Sequence, residues 1–352
     1  MKLLLVISSL VFAIVALCIV MQSFTIADRQ PIKRLKQVIP EGFSQPHYNF
    51  KDNPLTQEGV DLGRKLFYDG RLSKDGVTSC ASCHQQFAAF SDYEHPFSHG
   101  FNNSFSLRNT PPLFNLAWHK DFHLDGGIAH LEVQPLAPIT DPKEMAESLD
   151  SILVKLRSDT SYKRMFRKAF GDSKITTQRI LKAIAQFTGT ILSADSRYDR
   201  MKKGLVSFTE NENKGYQIFL SRCATCHPEP LFTDFSYRNI GLGLDTFIND
   251  YGRMRITGNP SDSLKFKVPS LRNVAKTSPY FHDGRAWGLS AALNHFKPTK
   301  DLLVDTLISN GKPLNPTEIL YVKYFLWALT DSTLFKDSTL SDPSFRPVQH
   351  FR

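Results

Sequence analysis

The chain has 352 residues, of which 41% are hydrophobic, and a formal net charge of +9. This length accommodates about two domains with packed cores. The positive charges are dispersed and no nucleic-acid-binding motif accompanies them, so we expect no binding to nucleic acid. A basic surface of this kind favours acidic protein partners or anionic lipid headgroups.

An almost wholly apolar segment over residues 3–21 follows Met1 and Lys2. A basic residue before an apolar run is typical of an export signal, and this run is long enough to span a bilayer if it is not cleaved. The sequence therefore predicts a signal peptide or a membrane anchor over residues 1–27 and export of the rest. Residues 28–54 are polar and contain prolines, and we expect them to form an extended segment that wraps the globular part.

Two pentapeptides of the form C-x-x-C-H are the most specific motifs of the chain. They contain Cys80, Cys83 and His84, and Cys223, Cys226 and His227. In this pattern the two thiols attach a haem covalently and the adjacent histidine binds its iron. A four-thiolate zinc site gives no reason for the histidines, a thioredoxin-like site would need one motif beside a βαβ unit, and cysteine count alone leaves structural disulfides open. The motifs predict two covalently bound haem c groups.

The residues around the two motifs repeat with identical spacing, which predicts two domains of common origin. The first copy comprises Pro111, Leu113, Asn115, Ala117, Asp125, Gly126 and Leu131, and the second comprises Pro269, Leu271, Asn273, Ala275, Asp283, Gly284 and Leu289. Upstream, Gly63, Leu66 and Phe67 correspond to Gly215, Ile218 and Phe219. We therefore expect two tandem haem domains over residues 55–200 and 201–335, followed by a tail over residues 336–352.

The predicted secondary structure is helical. Thr209 and Glu212 form a capping box at the start of one helix, and Asn315 with Pro316 starts another. Apolar residues at helical spacing form two core-facing stripes, which comprise Ile180, Leu181, Ile184, Phe187 and Ile191, and Ile319, Val322, Phe325, Leu326 and Leu329. No sustained alternating pattern indicates a large sheet. The expected fold class is all-α, with two tandem cytochrome c-like haem domains and long loops.

Three stretches carry a resemblance to a known family. They are LGRKLFYDGRLSKDGVTSCASCH over residues 62–84, RNTPPLFNLAW over residues 108–118 and FKVPSLRNVAKTSPYFHDGR over residues 266–285. In these stretches the chain resembles the bacterial di-haem cytochrome c peroxidases, a family that also includes the di-haem enzyme that matures methylamine dehydrogenase. The resemblance implies that the haem at His84 is the peroxidatic centre and that the haem at His227 transfers electrons. Differences in axial ligands give similar haems different roles.

The resemblance also implies which residues handle peroxide. Gln134 matches a glutamine that orients peroxide through its amide, and Glu144 matches a glutamate that moves a proton between the two oxygens. Spacing alone would make Glu144 an ordinary surface acid at a helix start. His99 matches a histidine that blocks the first iron until activation, with His95 as a nearby competitor. A solvated loop histidine is the alternative for His99.

Two further kinds of site follow from the resemblance. Asn109, Thr277 and Pro279 match positions that hold a calcium ion between the two domains, and oxygen ligands of this kind suit calcium. Arg272 and His282 are candidates for binding the haem propionates. Ordinary structural hydrogen bonding is the alternative role for both of these side chains.

Two positions depart from the family pattern. Leu124 stands where a tryptophan usually lies between the haems, and leucine cannot provide an aromatic relay for electrons. Phe296 stands where methionine or tyrosine binds the second iron, and phenylalanine cannot ligate. The adjacent His295 is a candidate ligand after a small helix rotation, with an exposed helix residue as the alternative. Trp118 and Trp287 are the other aromatic candidates, although packing roles suit both.

Together these features predict an exported di-haem peroxidase that reduces hydrogen peroxide to water. We expect it in the periplasm, either soluble or anchored to the inner membrane through residues 3–21, with a homodimer as a candidate assembly. Its electrons would come from a small redox protein such as a cytochrome c or a cupredoxin. A di-haem oxidase that modifies residues of a partner protein is one alternative, and a non-catalytic electron-transfer cytochrome is the other.

Overall fold

The computed structural model describes residues 32–344. The predicted signal or anchor over residues 1–27 lies outside this range, as do residues 345–352 of the predicted tail. None of the helices within residues 32–344 is both long and apolar enough to cross a membrane. The described part of the chain is mostly helical and has long loops, as the sequence predicted.

The secondary structure consists of helices and one short strand pair. The α-helices of the described chain are α1 (Gln57–Tyr68), α2 (Cys80–Cys83), α3 (Leu136–Thr140), α4 (Leu149–Ser158), α5 (Thr160–Phe170), α6 (Thr177–Thr190), α7 (Arg197–Lys202), α8 (Glu210–Arg222), α9 (Met254–Thr257), α10 (Leu289–His295), α11 (Thr306–Ser309), α12 (Pro316–Ala328) and α13 (Ser332–Lys336). Short 3₁₀ helices cover Gly70–Leu72, Gln86–Ala88, Phe101–Asn103, Leu116–Trp118, Pro260–Asp262 and Val274–Lys276. The antiparallel strands β1 (Tyr237–Arg238) and β2 (Phe266–Lys267) pair with Tyr237 opposite Lys267. Strands of two residues do not build a layer, so packed helices form the cores.

Each half of the described chain is built around one pair of packed helices. In the first half α1 packs against α6, and in the second half α8 packs against α12. The repeated glycine lies at the crossing in both pairs. A Cβ atom on Gly63 would overlap the carbonyl oxygen of Ala183, and one on Gly215 would overlap that of Tyr321. Glycine occupies both crossings because only a hydrogen atom fits between these backbones.

Gly63→Ala is therefore expected to lower the free energy of unfolding by about 1–3 kcal/mol, the usual cost of overpacking. The two helices must separate to admit the methyl group. Urea denaturation followed by circular dichroism measures the effect. Gly288→Ala is the control, since its backbone is extended and a Cβ there meets no heavy atom within 4 Å. Equal stability of Gly63→Ala and the parent protein would contradict the close packing.

Each of the two repeated asparagines connects its loop to the C-terminal end of a core helix. Asn115 and Asn273 both adopt left-handed backbone conformations, with φ of 55° and 56°, which asparagine tolerates better than most residues. The backbone N–H of Asn115 donates to the carbonyl of Ile191 at 2.9 Å, and that of Asn273 donates to Leu329 at 3.1 Å. Ile191 and Leu329 are the C-terminal caps of α6 and α12. The shared spacing in the sequence thus corresponds to a shared contact.

The predicted helix starts and apolar stripes are confirmed. The side chains of Thr209 and Asn315 complete capping boxes at the starts of α8 and α12. Leu181 is only partly buried. The other stripe residues lie in the cores and are Ile180, Ile184, Phe187, Ile191, Ile319, Val322, Phe325, Leu326 and Leu329.

Two segments connect the halves beyond the central helix pairs. Tyr198 of α7 packs in the second core, with the ring of Phe232 4.8 Å away. Near the other end of the chain, Leu334 and Leu340 pack in the first core. The N-terminal segment also lies against the first half, where the indole N–H of Trp118 donates to the carbonyl of Ser44 at 2.8 Å. The domain bounds 55–200 and 201–335 stay predictions.

Candidate active site and haem sites

The first C-x-x-C-H motif lies on the single helical turn α2. Ser79 and Ser82 form a capping box at its start. The next residue, His84, has its Nδ1 atom 2.8 Å from the carbonyl oxygen of Phe90. This bond makes Nδ1 the protonated nitrogen and leaves Nε2 as the atom that can bind iron.

The second motif has the same arrangement at the end of α8. Cys223 caps that helix, and Nδ1 of His227 lies 2.9 Å from the carbonyl oxygen of Phe232. Burial lowers the pKa of His84 to about 4 and also lowers the pKa of His227. Both imidazoles are therefore neutral at pH 7, which is the state that binds a metal.

The cysteines of the two motifs are free thiols, which favours haem attachment over the disulfide alternative. Within residues 32–344 no three His, Cys, Asp or Glu side chains form a group that could hold a metal ion by themselves. The cysteine pairs therefore do not meet as a four-thiolate zinc site. Paired thiols beside a neutral, oriented histidine fit a haem c at each motif.

A cavity with a volume of about 370 Å³ lies beside the first motif, a size typical of ligand-binding sites. Its wall contains Cys80, Cys83 and His84 together with Gln134 and Glu144. The structure therefore brings the predicted haem-attachment residues and the predicted peroxide-handling residues of the first site into one cavity.

Glu144 lies in a turn that follows α3. Its backbone N–H donates to the carbonyl of Asp141 at 3.1 Å, and its own carbonyl accepts from Phe101 at 2.6 Å. Burial, with a smaller effect of the Asp141 carboxylate, raises the pKa of Glu144 to about 7. A carboxyl group with this pKa can both accept and release a proton near neutral pH.

Gln134 lies just before the other end of α3. Its backbone N–H donates to the carbonyl of His130 at 3.1 Å, and Pro135 is the N-terminal cap of the helix. The segments flanking this short helix thus contribute both an amide and a carboxyl side chain to the cavity. This arrangement combines an orienting group with a proton-transfer group.

The structure places His99 beside the cavity rather than in its wall. Its neighbours Ser98 and Gly100 line the cavity, whereas Nδ1 of His99 lies 2.7 Å from the Asn103 side-chain oxygen and its ring packs 4.5 Å from that of Phe105. The imidazole is exposed, as the alternative reading of a solvated loop histidine expects. Ligation of the first iron by His99 stays a prediction.

The far side of the second haem site contains His295 and Phe296 at the end of α10. Nε2 of His295 lies 2.7 Å from the carbonyl oxygen of Ile240, so this nitrogen is engaged by the backbone. Phe296 is 38% exposed and packs its ring 6.4 Å from that of Phe281. Ligation by His295 stays a prediction, and it would require this hydrogen bond to break or the ring to bind through Nδ1.

The two predicted propionate-binding side chains are both buried. The Arg272 guanidinium donates to both carboxylate oxygens of Asp199 at 2.8 Å each and to the carbonyl of Pro230 at 2.8 Å, which favours its structural role. The ring of His282 stacks on Phe266 at 3.8 Å. Its buried Nδ1 has no hydrogen-bond partner among the described residues. This nitrogen could therefore donate a hydrogen bond to an acceptor such as a haem propionate.

The predicted calcium ligands lie on two segments that contact each other. The backbone N–H of Asn109 donates to the carbonyl of His282 at 2.7 Å, and its side-chain amide donates to the carbonyl of His95 at 3.1 Å. Thr277 and Pro279 precede His282 on the second segment. The proximity is compatible with a shared ion, and the calcium site stays a prediction.

A buried ion-pair group near the first site was missed by sequence reasoning. The guanidinium of Arg108 contacts the Asp125 carboxylate at 2.6 Å and both oxygens of the Asp250 carboxylate at 2.5 and 2.8 Å. Arg108 and Asp125 line the cavity. Both lie in segments that the repeat and the resemblance mark, whereas Asp250 lies in an unrepeated loop and gave no signal. Through these ion pairs, the loop that contains Asp250 in the second half is bound to the wall of the first cavity.

A mostly helical fold with two C-x-x-C-H sites defines a di-haem c-type cytochrome. The family model described as di-haem cytochrome c peroxidase matches residues 57–207. The methylamine utilization protein MauG of Methylorubrum extorquens is 37% identical over 276 residues, which cover 77% of this chain and 76% of that protein. The cytochrome c551 peroxidase of Nitrosomonas europaea is 33% identical over 310 residues, covering 86% and 85%. The chain belongs to the di-haem cytochrome c peroxidase family.

A solved structure supports the same assignment. It is the crystal structure of a MauG-like protein associated with microbial copper homeostasis, which is 32% identical, has a TM-score of 0.81 and matches over 88% of this chain and 99% of that one. The resemblance found in the sequence is thus confirmed. Membership of the family implies two haem c groups and an oxidoreductase that uses haem iron and transfers electrons.

Proposed function

We propose that the protein is a peroxidase that reduces hydrogen peroxide to water with electrons from a small redox protein. The observation that carries this proposal is the common cavity of His84, Gln134 and Glu144. Because a carboxyl and an amide side chain share this cavity with the expected iron ligand, the cavity supports roles in proton transfer and in orienting peroxide. The reaction consumes one peroxide, two protons and two electrons and yields two waters.

The residues of the cavity divide the work with the haem, which supplies the redox chemistry when it is bound. His84 would hold the iron through Nε2, and its bond to the Phe90 carbonyl orients the ring. The Gln134 amide orients peroxide by hydrogen bonding. Glu144, when ionised, would accept a proton from one peroxide oxygen and return it to the oxygen that leaves as water.

The second half of the chain accepts electrons from the donor and passes them to the first. The net charge of +9 favours an acidic cytochrome c or cupredoxin, because opposite charges speed encounter. The proposal also includes export to the periplasm, as expected from residues 1–27 and from the attachment of haem outside the cytoplasm.

The test uses the protein with both haems attached. After reduction of the second haem, hydrogen peroxide should be consumed with two equivalents of reduced cytochrome c or of a chemical donor per peroxide, measured by donor absorbance. No turnover in pre-reduced protein with both haems in place would contradict the proposal. In that case a non-catalytic electron carrier would fit better.

A second candidate function is oxidation of residues on a partner protein. It is favoured by Phe296, which stands at the second distal position, is 38% exposed and has no ligating atom. A relative named methylamine utilization protein MauG is 37% identical. Mass spectrometry of a co-purified partner before and after peroxide addition distinguishes the two candidates, because only this one predicts a mass change in the partner.

A further inference from the structure

The proposed function requires electrons to pass between the two haem sites, and this inference rests on that function. Leu124 lies at the border between the halves, where its side chain lines the first cavity and its carbonyl accepts from Lys267 at 2.7 Å. An aliphatic side chain offers no π-system at this position. Coupling through aromatic rings would then come from another contact between the halves.

His119 contributes the first-half side of a ring contact between the two halves. It lines the first cavity, and its ring lies 4.7 Å from the ring of Phe235, which belongs to the second half. The preceding residue, Trp118, is buried in a cluster to which Leu231 belongs and against which Phe235 packs. The two rings therefore meet across a closely packed border.

Phe235 continues the contact to the second haem site. The backbone N–H of Asp234 donates to the carbonyl of Cys226 at 3.0 Å, and that of Phe235 donates to the Thr233 hydroxyl at 2.9 Å. These bonds hold the backbone next to Phe235 against Cys226, a predicted attachment residue of the second haem. The chain of contacts runs from the first cavity through His119, Phe235 and Asp234 to Cys226.

The state of charge of His119 also suits an electron bridge. Burial, with a smaller effect of the Lys267 ammonium, lowers the pKa of His119 to about 3. The imidazole is therefore neutral across the physiological range. An electron can cross a neutral ring without a coupled proton transfer.

We propose that the contact between His119 and Phe235 is the electron bridge between the two haem sites, in place of an aromatic residue at position 124. One electron leaves the reduced iron of the second site, which is oxidised by one unit, and arrives at the oxidised iron of the first. No bond forms or breaks and no proton moves. The rings couple the two sites and are not themselves oxidised.

The test measures electron transfer between the haems without peroxide. Laser photolysis of carbon monoxide from the half-reduced protein makes an electron redistribute between the two irons, and absorbance follows its rate. Phe235→Leu should slow this rate severalfold, whereas Phe235→Tyr should retain it. Phe247→Leu is the matched control, because Phe247 is 94% exposed and should leave the rate unchanged. Potentiometric titration should give unchanged haem potentials in all three.

His119→Leu tests the same contact from the first site and should also slow the transfer, so the proposal does not depend on the folding of one variant. An unchanged rate in Phe235→Leu and His119→Leu would overturn it and would assign the transfer to the backbone at Leu124 and Lys267. A decrease in the electron-transfer rate of Phe247→Leu as large as that of Phe235→Leu would also overturn the proposal. Since no peroxide is present, failure of the proposed function would appear separately, as absent turnover with intact electron transfer.

Discussion

Glu144→Gln should lower the rate of peroxide reduction by about 10²–10⁴-fold, the usual contribution of a general acid–base group. The amide keeps the shape of the side chain but cannot accept the peroxide proton. Stopped-flow absorbance with pre-reduced protein measures the rate. Glu210→Gln is the control, since Glu210 lies on the surface, where it pairs with Lys214, and turnover should be unchanged.

The dependence on pH gives a second readout of the same residue. In the proposed mechanism Glu144 acts as a base only when it is ionised, and its pKa is raised to about 7. The rate of the parent protein should therefore rise with pH and reach half its maximum near pH 7. Glu144→Gln should lose this rise, and a profile that still rises through pH 7 in the variant would assign the proton transfer to another group.

The raised pKa of Glu144 affects stability in the opposite direction: stability should fall as the pH rises, whereas the reaction rate should increase. The pKa of Glu144 is about 7 in the fold against an ordinary 4.5, so the folded state binds more protons than the unfolded state between these values. Its contribution to stability is present below pH 4.5 and is lost as the pH rises to 7. Activity should thus increase over a range in which this residue makes the fold less stable.

The parts of the structure that the sequence predicts well depend on local chemistry. The C-x-x-C-H runs and the capping boxes at Thr209 and Asn315 act through neighbours within a turn. The repeat marked Gly63 and Gly215 as equivalent positions, and the structure shows that both meet the backbone of a facing helix. The resemblance then supplied Gln134 and Glu144, which lie in one cavity.

The parts that the sequence could not predict depend on contacts between distant, unrepeated segments. Asp250 pairs with Arg108 across 142 positions, and no pattern in its own loop indicates a buried carboxylate. The orientation of His99 is set by Asn103 and Phe105 on the same loop, and loop geometry has no periodic signal. The contact of His119 with Phe235 likewise joins two halves whose relative placement only the fold determines.

Asp199→Ala should lower the free energy of unfolding by about 3–5 kcal/mol, because it leaves a buried cation without its partner. Arg272 is fully buried and Asp199 is 7% exposed, and the carboxylate accepts two hydrogen bonds from the guanidinium. Urea denaturation of the protein with both haems attached measures the loss. Asp195→Ala should cost less than about 1 kcal/mol, as is usual for surface pairs, because Asp195 and its partner Arg200 are both about two-fifths exposed.

The double variant Asp199→Ala with Arg272→Met separates the two roles of Arg272. In the repeat, Arg272 occupies the position of Phe114, an apolar residue that is 2% exposed, so a thioether side chain suits the site. If the main role of Arg272 is to pair with Asp199, the double variant should be more stable than Asp199→Ala, since no buried charge is left unpaired. If Arg272 instead holds a haem propionate, Asp199→Ala should cost little and Arg272→Met should disturb the second haem, visible as a shift in its reduction potential. The bidentate contact to Asp199 makes the first result the expected one, and it would leave His282, with its unpaired buried nitrogen, as the propionate-binding side chain of the pair.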